Sequence, residues 1–237
     1  MNVFVEPIIG LADRKARHFE VSIRLRNADG MPIIDTEYRM AAGGTGLLPR
    51  IDAAKMQHSA IVAGRLHEKG RRGTVHSAIS GEALTDGFFV EDLTTTVATN
   101  EGIGSHLVLT FAQSDVRCFR DVHWDTLAVM REFGMTFALE AVTAMDMDFD
   151  ALARRGFTFV KLDTSVFLEG MPTEGGLVPA ADLCRYLAGL GLGLIIGHID
   201  DERSLARVLG FGALLGQGTL FGAPRPLDLQ LQARSAA

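Results

Sequence analysis

Short runs of β-branched and other apolar residues alternate along the chain with longer stretches whose apolar positions recur every three or four residues. This pattern predicts βα units rather than a sandwich. The strand-type runs are VFVEPII (3–9), HFEVSIRLR (18–26), TVHSAI (74–79), HLVLT (106–110), TFALE (136–140), FTFVKLD (157–163), LGLIIG (192–197) and GALLGQG (212–218). Helical periodicity fills 48–70, 124–134, 180–191 and 201–212, and Gly134, Gly191 and Gly212 stand where helices commonly end on glycine. Eight strands with helices after most of them, in 237 residues, predict an α/β fold: a (β/α)8 TIM-like barrel. The first strand is the exception. Only the GLADRKA stretch separates VFVEPII from HFEVSIRLR, too little chain for a parallel crossover, so these two strands are expected to run antiparallel as a hairpin. TTTVATNEG (94–102) and LEGMPTEGGLVP (168–179) read as a loop or irregular helix end, the second as a surface loop or a lid. With no internal repeat or linker, the expectation is one domain over 1–237 with a polar tail from about residue 228.

Composition narrows the partners. With 47% hydrophobic and 22% charged residues, the chain can bury one sizeable core. A net charge of −6 provides no basic field for a nucleic-acid backbone, so DNA and RNA are not expected partners, whereas a small anion can still be held by a few placed Arg and Lys. Cys118 and Cys184 stand alone, without CxxC or Cys/His spacing, which argues against a disulfide framework or a zinc site and for a reducing compartment. MNVFVEPIIG lacks the basic start of a secretion signal, and the apolar run from Leu187 to Ile199 is interrupted by glycine. A cytoplasmic location is expected, and tethering to the inner membrane through a segment upstream stays open.

In barrels of this type the reactive side chains stand at the C-terminal ends of the strands. Read in order, those positions hold Glu20 and Arg24, Ala78, Thr110, Glu140, Lys161 with Asp163, Gly197, and Gln217. Several are polar where a buried strand would be apolar. Glu20, Ser22 and Arg24 share one strand face and Val21, Ile23 and Leu25 the other, placing charge at the mouth and apolar surface beneath the helices. AAGGTG (41–46) has no lysine at phosphate-loop spacing and reads as helix ends and a turn. AMDMDFD (144–150) lacks the glycine and terminal glutamate of a calcium loop and reads as a helix start.

Taken in order, EVSIR (20–24), EYRMAAGGTGLLPRID (37–52), VKLD (160–163) and GALLGQGTLFGAPRPL (212–227) resemble the motifs of the EAL domain, the cyclic di-GMP phosphodiesterase family, over Phe4 to Leu227. The resemblance implies that Glu20, Val21, Ser22, Arg24, Lys161, Asp163, Gln217 and Pro224 line the ligand site, with Arg24 against the dinucleotide and Gln217 near a guanine edge or a phosphate-side water. It also exposes departures. EAL enzymes hold two divalent cations, usually Mg²⁺ or Mn²⁺, in an oxygen-rich cage that generates the attacking hydroxide. Here the family's Asn position is Ala78, the two Glu of its Glu-Ile-Thr-Glu-Ser motif fall at Thr110 and Gln113, and its Asp-Asp pair becomes Glu140 and Ala141 with Thr143 for the glycine. A further Glu becomes Gly197, leaving Asp200, while His198 replaces a glycine and Glu6 a glutamine.

The resemblance therefore implies a degenerate, receptor-type EAL domain that binds cyclic di-GMP, needs no catalytic Mg²⁺ or Mn²⁺, and signals occupancy to protein partners in flagellar or pilus assembly and polarity; a homodimer paired near the mouth, as in EAL relatives, stays open. Bland readings stay open at each residue: Glu20 or Arg24 in a structural ion pair, Lys161 and Asp163 in a salt bridge that outlived catalysis, Gln217 as a strand cap, and His198 with no special role. A nucleotide-independent scaffold and a weakly active phosphodiesterase are the alternatives at the level of function.

Overall fold

The structure, a computed structural model, describes residues 1–33, 35–173 and 175–227; the expected polar tail lies outside them. Strands β1 (Asn2–Gly10) and β2 (Lys15–Arg26) form the expected hairpin, with Glu6 opposite Glu20 and Phe4 opposite Ser22. The short strand β3 (Pro32–Ile33) is followed by α1 (Asp35–Ala42) and the long α2 (Leu47–Glu68). Then come β4 (Val75–Ala78), α3 (Gly87–Thr99), β5 (Leu107–Ala112), α4 (Gln113–Arg117), α5 (Asp121–Glu132), β6 (Thr136–Glu140) and α6 (Phe149–Arg154). The chain ends with β7 (Phe157–Asp163), α7 (Thr164–Glu169), a hairpin of β8 (Met171–Thr173) and β9 (Gly176–Val178), α8 (Ala180–Gly189), β10 (Gly193–Gly197), α9 (Glu202–Gly210), β11 (Leu215–Gly216) and β12 (Arg225–Pro226).

Strands β2, β4, β5, β6, β7, β10 and β11 run parallel in that order, and β1, antiparallel to both β11 and β2, closes the sheet into an eight-stranded barrel. Alternation along each strand decides what faces where. On β2, Val21 and Ile23 are 1% and 5% exposed and belong to the core under the helices, whereas Glu20 reaches across the lumen to Lys161 of the far strand β7. On β5, β6 and β7 the outward Phe111, Phe137 and Phe157 form one aromatic cluster, with ring centroids 5.6 to 6.4 Å apart. Gly134, Gly191 and Gly212 follow their helices at φ of 84°, 74° and 89°, the left-handed conformation that glycine adopts without a Cβ clash.

For the 94–102 and 168–179 stretches the loop alternative is corrected, while each does begin as the end of a helix. Residues 94–99 continue α3, because Asp86 caps the helix by accepting from the Phe89 amide at 2.9 Å and Phe89, Leu93 and Val97 bury one stripe. That stripe outweighs the poor helix propensity of the threonines, two of whose hydroxyls (Thr94 and Thr99) donate back to carbonyls one turn earlier. The 168–179 stretch is the end of α7 and the β8–β9 hairpin rather than an irregular loop. The acidic stretch before α6 behaves as a helix start, with Asp148 accepting from the Ala151 amide. Among the described residues no helix is long and apolar enough to cross a membrane.

Candidate functional site

The lumen end of the barrel is built around Glu20. Its Oε2 accepts from Lys161 Nζ at 2.7 Å and from Gln217 Nε2 at 2.6 Å, joining β2, β7 and the segment after β11 across the lumen. The two charged side chains are only 22% and 16% exposed. Burial alone would raise the Glu20 carboxyl, but the Lys161 ammonium and the Gln217 amide outweigh it and hold its pKa below the ordinary value. Burial likewise opposes the charge on Lys161, and the carboxylates of Glu20 and Glu140 overcome it and raise its pKa. Glu6, beside Glu20 in the hairpin, is pushed up by burial and by the Glu20 charge.

Two polar atoms in this lumen, Gln217 Oε1 and Thr110 Oγ1, are buried and make no hydrogen bond among the described residues. A buried polar atom without a partner is costly, which makes both natural contacts for a ligand or a water. Beneath them His76 is neutral, its pKa driven down to about 3 by burial and by His18, and Thr74 Oγ1 lies within hydrogen-bonding distance of both imidazoles.

Around the rim the expected residues separate into different jobs. Asp163 Oδ1 accepts from the Ser165 amide and hydroxyl, and Oδ2 pairs with His198 Nδ1 at 2.7 Å. Burial opposes the Asp163 charge, but these bonds outweigh it and hold the pKa low. His198, read as having no special role, thus shares a hydrogen bond with Asp163 while holding φ at 57°, a conformation natural to the glycine it replaces. Arg24 does not pair with Glu20. Four residues along a strand separate them by about 13 Å, and the Arg24 guanidinium lies instead over the Phe4 ring at 4.2 Å from its centroid. Val21 is corrected as a lining side chain, because its place in the outward-facing core puts it behind the sheet. Ser22 is half-buried next to Glu20, and Pro224 is half-buried in the loop before β12. Phe4, unmarked in the sequence, becomes visible only through the hairpin register that sets it opposite Ser22.

The donor chemistry does not fit a pair of hard divalent cations, which require about six oxygen ligands each. Glu20 Oε2 is taken by Lys161 and Gln217, both Asp163 oxygens are engaged, and Asp200 Oδ1 holds the amide and hydroxyl of Thr219. Ala78, Thr110 and Gly197 offer no carboxylate, while Gln113 spends its amide on the Thr143 nitrogen and the Ala144 carbonyl. No cluster of three or more His, Cys, Asp or Glu suited to a metal occurs among the described residues.

Glu140 is raised by burial, with the Glu20 charge adding to this and Lys161, Arg39 and Lys55 opposing it. An acid whose folded pKa exceeds its unfolded value binds its proton more tightly when folded, so stability falls as pH rises from about the unfolded value through the folded one. Glu140→Gln is therefore expected to raise stability at pH 8 by about 0.5–2 kcal/mol and to leave it unchanged near pH 4. Urea denaturation at both pH values checks this, and a destabilised variant at pH 8 would mean that the surrounding cations hold Glu140 ionised.

The fold and this motif order are those of a known domain class: the EAL-domain family model matches residues 1–224, and the chain belongs to that family. A 76.5 kDa uncharacterized protein from the phbC 3′ region of Thiocystis violacea is 24% identical over 228 residues, covering 94% of this chain. The match spans only 32% of that protein's own length. Among solved structures, the FimX EAL domain of Pseudomonas aeruginosa bound to c-di-GMP superposes with a TM-score of 0.76 at 20% identity, covering 94% of this chain and 90% of its own. The PaMucR phosphodiesterase in complex with c-di-GMP gives 0.76 at 17% identity, with 94% and 91% covered.

Proposed function

We propose that this EAL domain is a receptor for cyclic di-GMP that does not hydrolyse it and that relays occupancy to protein partners, in keeping with roles in flagellar or pilus assembly. The observation that carries the reading is the internal clamp on Glu20: an ammonium and an amide, Lys161 and Gln217, both bind Oε2 of the carboxylate that the EAL signature places at the metal site. The phosphates of a dinucleotide then depend on fixed cationic side chains, and the Arg24 guanidinium at the rim can bind a phosphate through two parallel hydrogen bonds without a metal bridge. Likeness to EAL structures holding c-di-GMP supports the choice of ligand.

A second reading, a scaffold that binds no nucleotide, is favoured by the acidity of the lumen, where Glu6, Glu20 and Glu140 surround Lys161. It is also favoured by two cavities of about 630 and 590 Å³ that lie away from the mouth, one on the outer wall and one by the β1–β2 turn. Calorimetric titration with cyclic di-GMP separates the two. Saturable binding with no linear dinucleotide formed in the presence of Mn²⁺ is expected. Absence of binding removes the receptor, and turnover removes the loss of catalysis.

A further inference from the structure

A (β/α)8 barrel ordinarily carries a helix after each strand. Here β1 turns straight back into β2, so no helix follows it, and the outer face of the hairpin depends on neighbours for cover. On one side stands α2 and on the other the segment 219–227, and between them runs the cavity of about 630 Å³. Its floor is apolar, from Val5, Phe19, Val62, Leu66, Phe221 and Leu227. Its banks carry Arg65, Lys69 and Arg71 at the end of α2 and Arg225 on β12, with no acid in the lining. None of these four cations forms an ion pair among the described residues, in a chain whose net charge is −6. The nearby Glu68 lines the depression on the other flank of α2, with Gln57 and Thr96, and Arg65 on the ridge between borders both. Basic residues suit the C-terminal end of a helix dipole, which accounts for Arg65 and Lys69. It does not account for Arg225, which faces the groove from a strand.

We propose that this groove docks an acidic amphipathic helix of a partner protein, with the apolar stripe of the helix on the floor and its carboxylates against the two banks. The gap lies where the hairpin leaves the barrel coat without a helix, and an apolar stripe flanked by acids is what an apolar floor between cationic banks selects. A membrane surface fits less well, because the apolar residues are recessed between the banks. A free phosphate would leave the floor unused. The proposal is independent of nucleotide binding at the mouth.

The test uses the whole chain and a fluorescent synthetic peptide of about 18 residues, or five helical turns, with leucine at i, i+3, i+4 and i+7 and glutamate on the flanks. Saturable binding by anisotropy is expected, weakened about tenfold or more by rising salt and by the surface variant Arg65→Glu/Lys69→Glu/Arg225→Glu. A scrambled peptide without the stripe should bind at least about tenfold more weakly. The proposal is overturned if the striped peptide fails to bind, if the scrambled one binds equally, or if the charge-reversed protein binds like the parent. It is overturned as well if phosphatidylglycerol vesicles, and not the peptide, show the dependence on these residues.

Discussion

Lys161→Met is expected to lower the stability of the fold by about 3 kcal/mol at neutral pH, because it leaves the Glu20 carboxylate in the lumen with only the Gln217 amide to compensate it. The size follows from asymmetry. A partly buried ion pair contributes little net, since desolvation of both charges offsets their attraction, whereas removing one partner leaves the whole desolvation cost of the other. The double variant Lys161→Met/Glu20→Gln should therefore recover more than half of the loss. The pH dependence gives an independent check. The folded pKa of Glu20 lies below its ordinary 4.5, so the stabilisation from the pair is fully present above that value and disappears as pH falls through the folded pKa. On the alkaline side Lys161 is raised above 10.5, so its part is complete below that value and is lost only as pH climbs through the raised pKa. Urea unfolding should show a gap between parent and Lys161→Met that is full at pH 7 and closes under acid conditions. An equal gap at pH 3 would mean that methionine disturbs packing rather than charge.

Much of this architecture was legible in the sequence because the strand signals are local. The alternation of Glu20, Ser22 and Arg24 with Val21, Ile23 and Leu25 fixes the two faces of β2 without any knowledge of its neighbours, and the short GLADRKA connection fixes the antiparallel hairpin. The partner of Glu20 was not legible. Lys161 lies 141 positions away and meets it only because the barrel closes, and nothing in either local pattern distinguishes that cation from Arg24. The run of threonines after Asp92 misled for a related reason. Propensity is read from one residue at a time, while the buried stripe of Phe89, Leu93 and Val97 acts through its packing on the rest of the fold. The groove beside β12 was invisible for the same reason as the Glu20 clamp, since its two banks come from residues 65–71 and 225, which only folding brings together.

Arg24→Ala is expected to weaken cyclic di-GMP binding by roughly 10- to 100-fold, the loss of a charge-assisted contact of about 1.5–3 kcal/mol, while Glu20→Ala weakens it less. The difference follows from what each group can offer a phosphate. Arg24 stands at the rim on the strand face it shares with Glu20, and among the described residues its guanidinium rests on the Phe4 ring, whose cation–π attraction at an exposed site is worth about 0.5–1 kcal/mol. A phosphate can take over such a guanidinium at small cost. Glu20 repels the same phosphate directly and aids it only by keeping Lys161 in place, so its removal trades one effect against the other. The two variants also differ without ligand: Arg24→Ala should shift the unfolding midpoint only slightly, whereas Glu20→Ala leaves Lys161 without its hydrogen-bonded carboxylate and should unfold earlier. Calorimetry on both, beside the unfolding curves, separates recognition from folding. If Arg24→Ala binds like the parent, the phosphates are held by some other cation and the rim at β2 is not the nucleotide site. If Glu20→Ala alone abolishes binding while remaining folded, the carboxylate itself contacts the ligand.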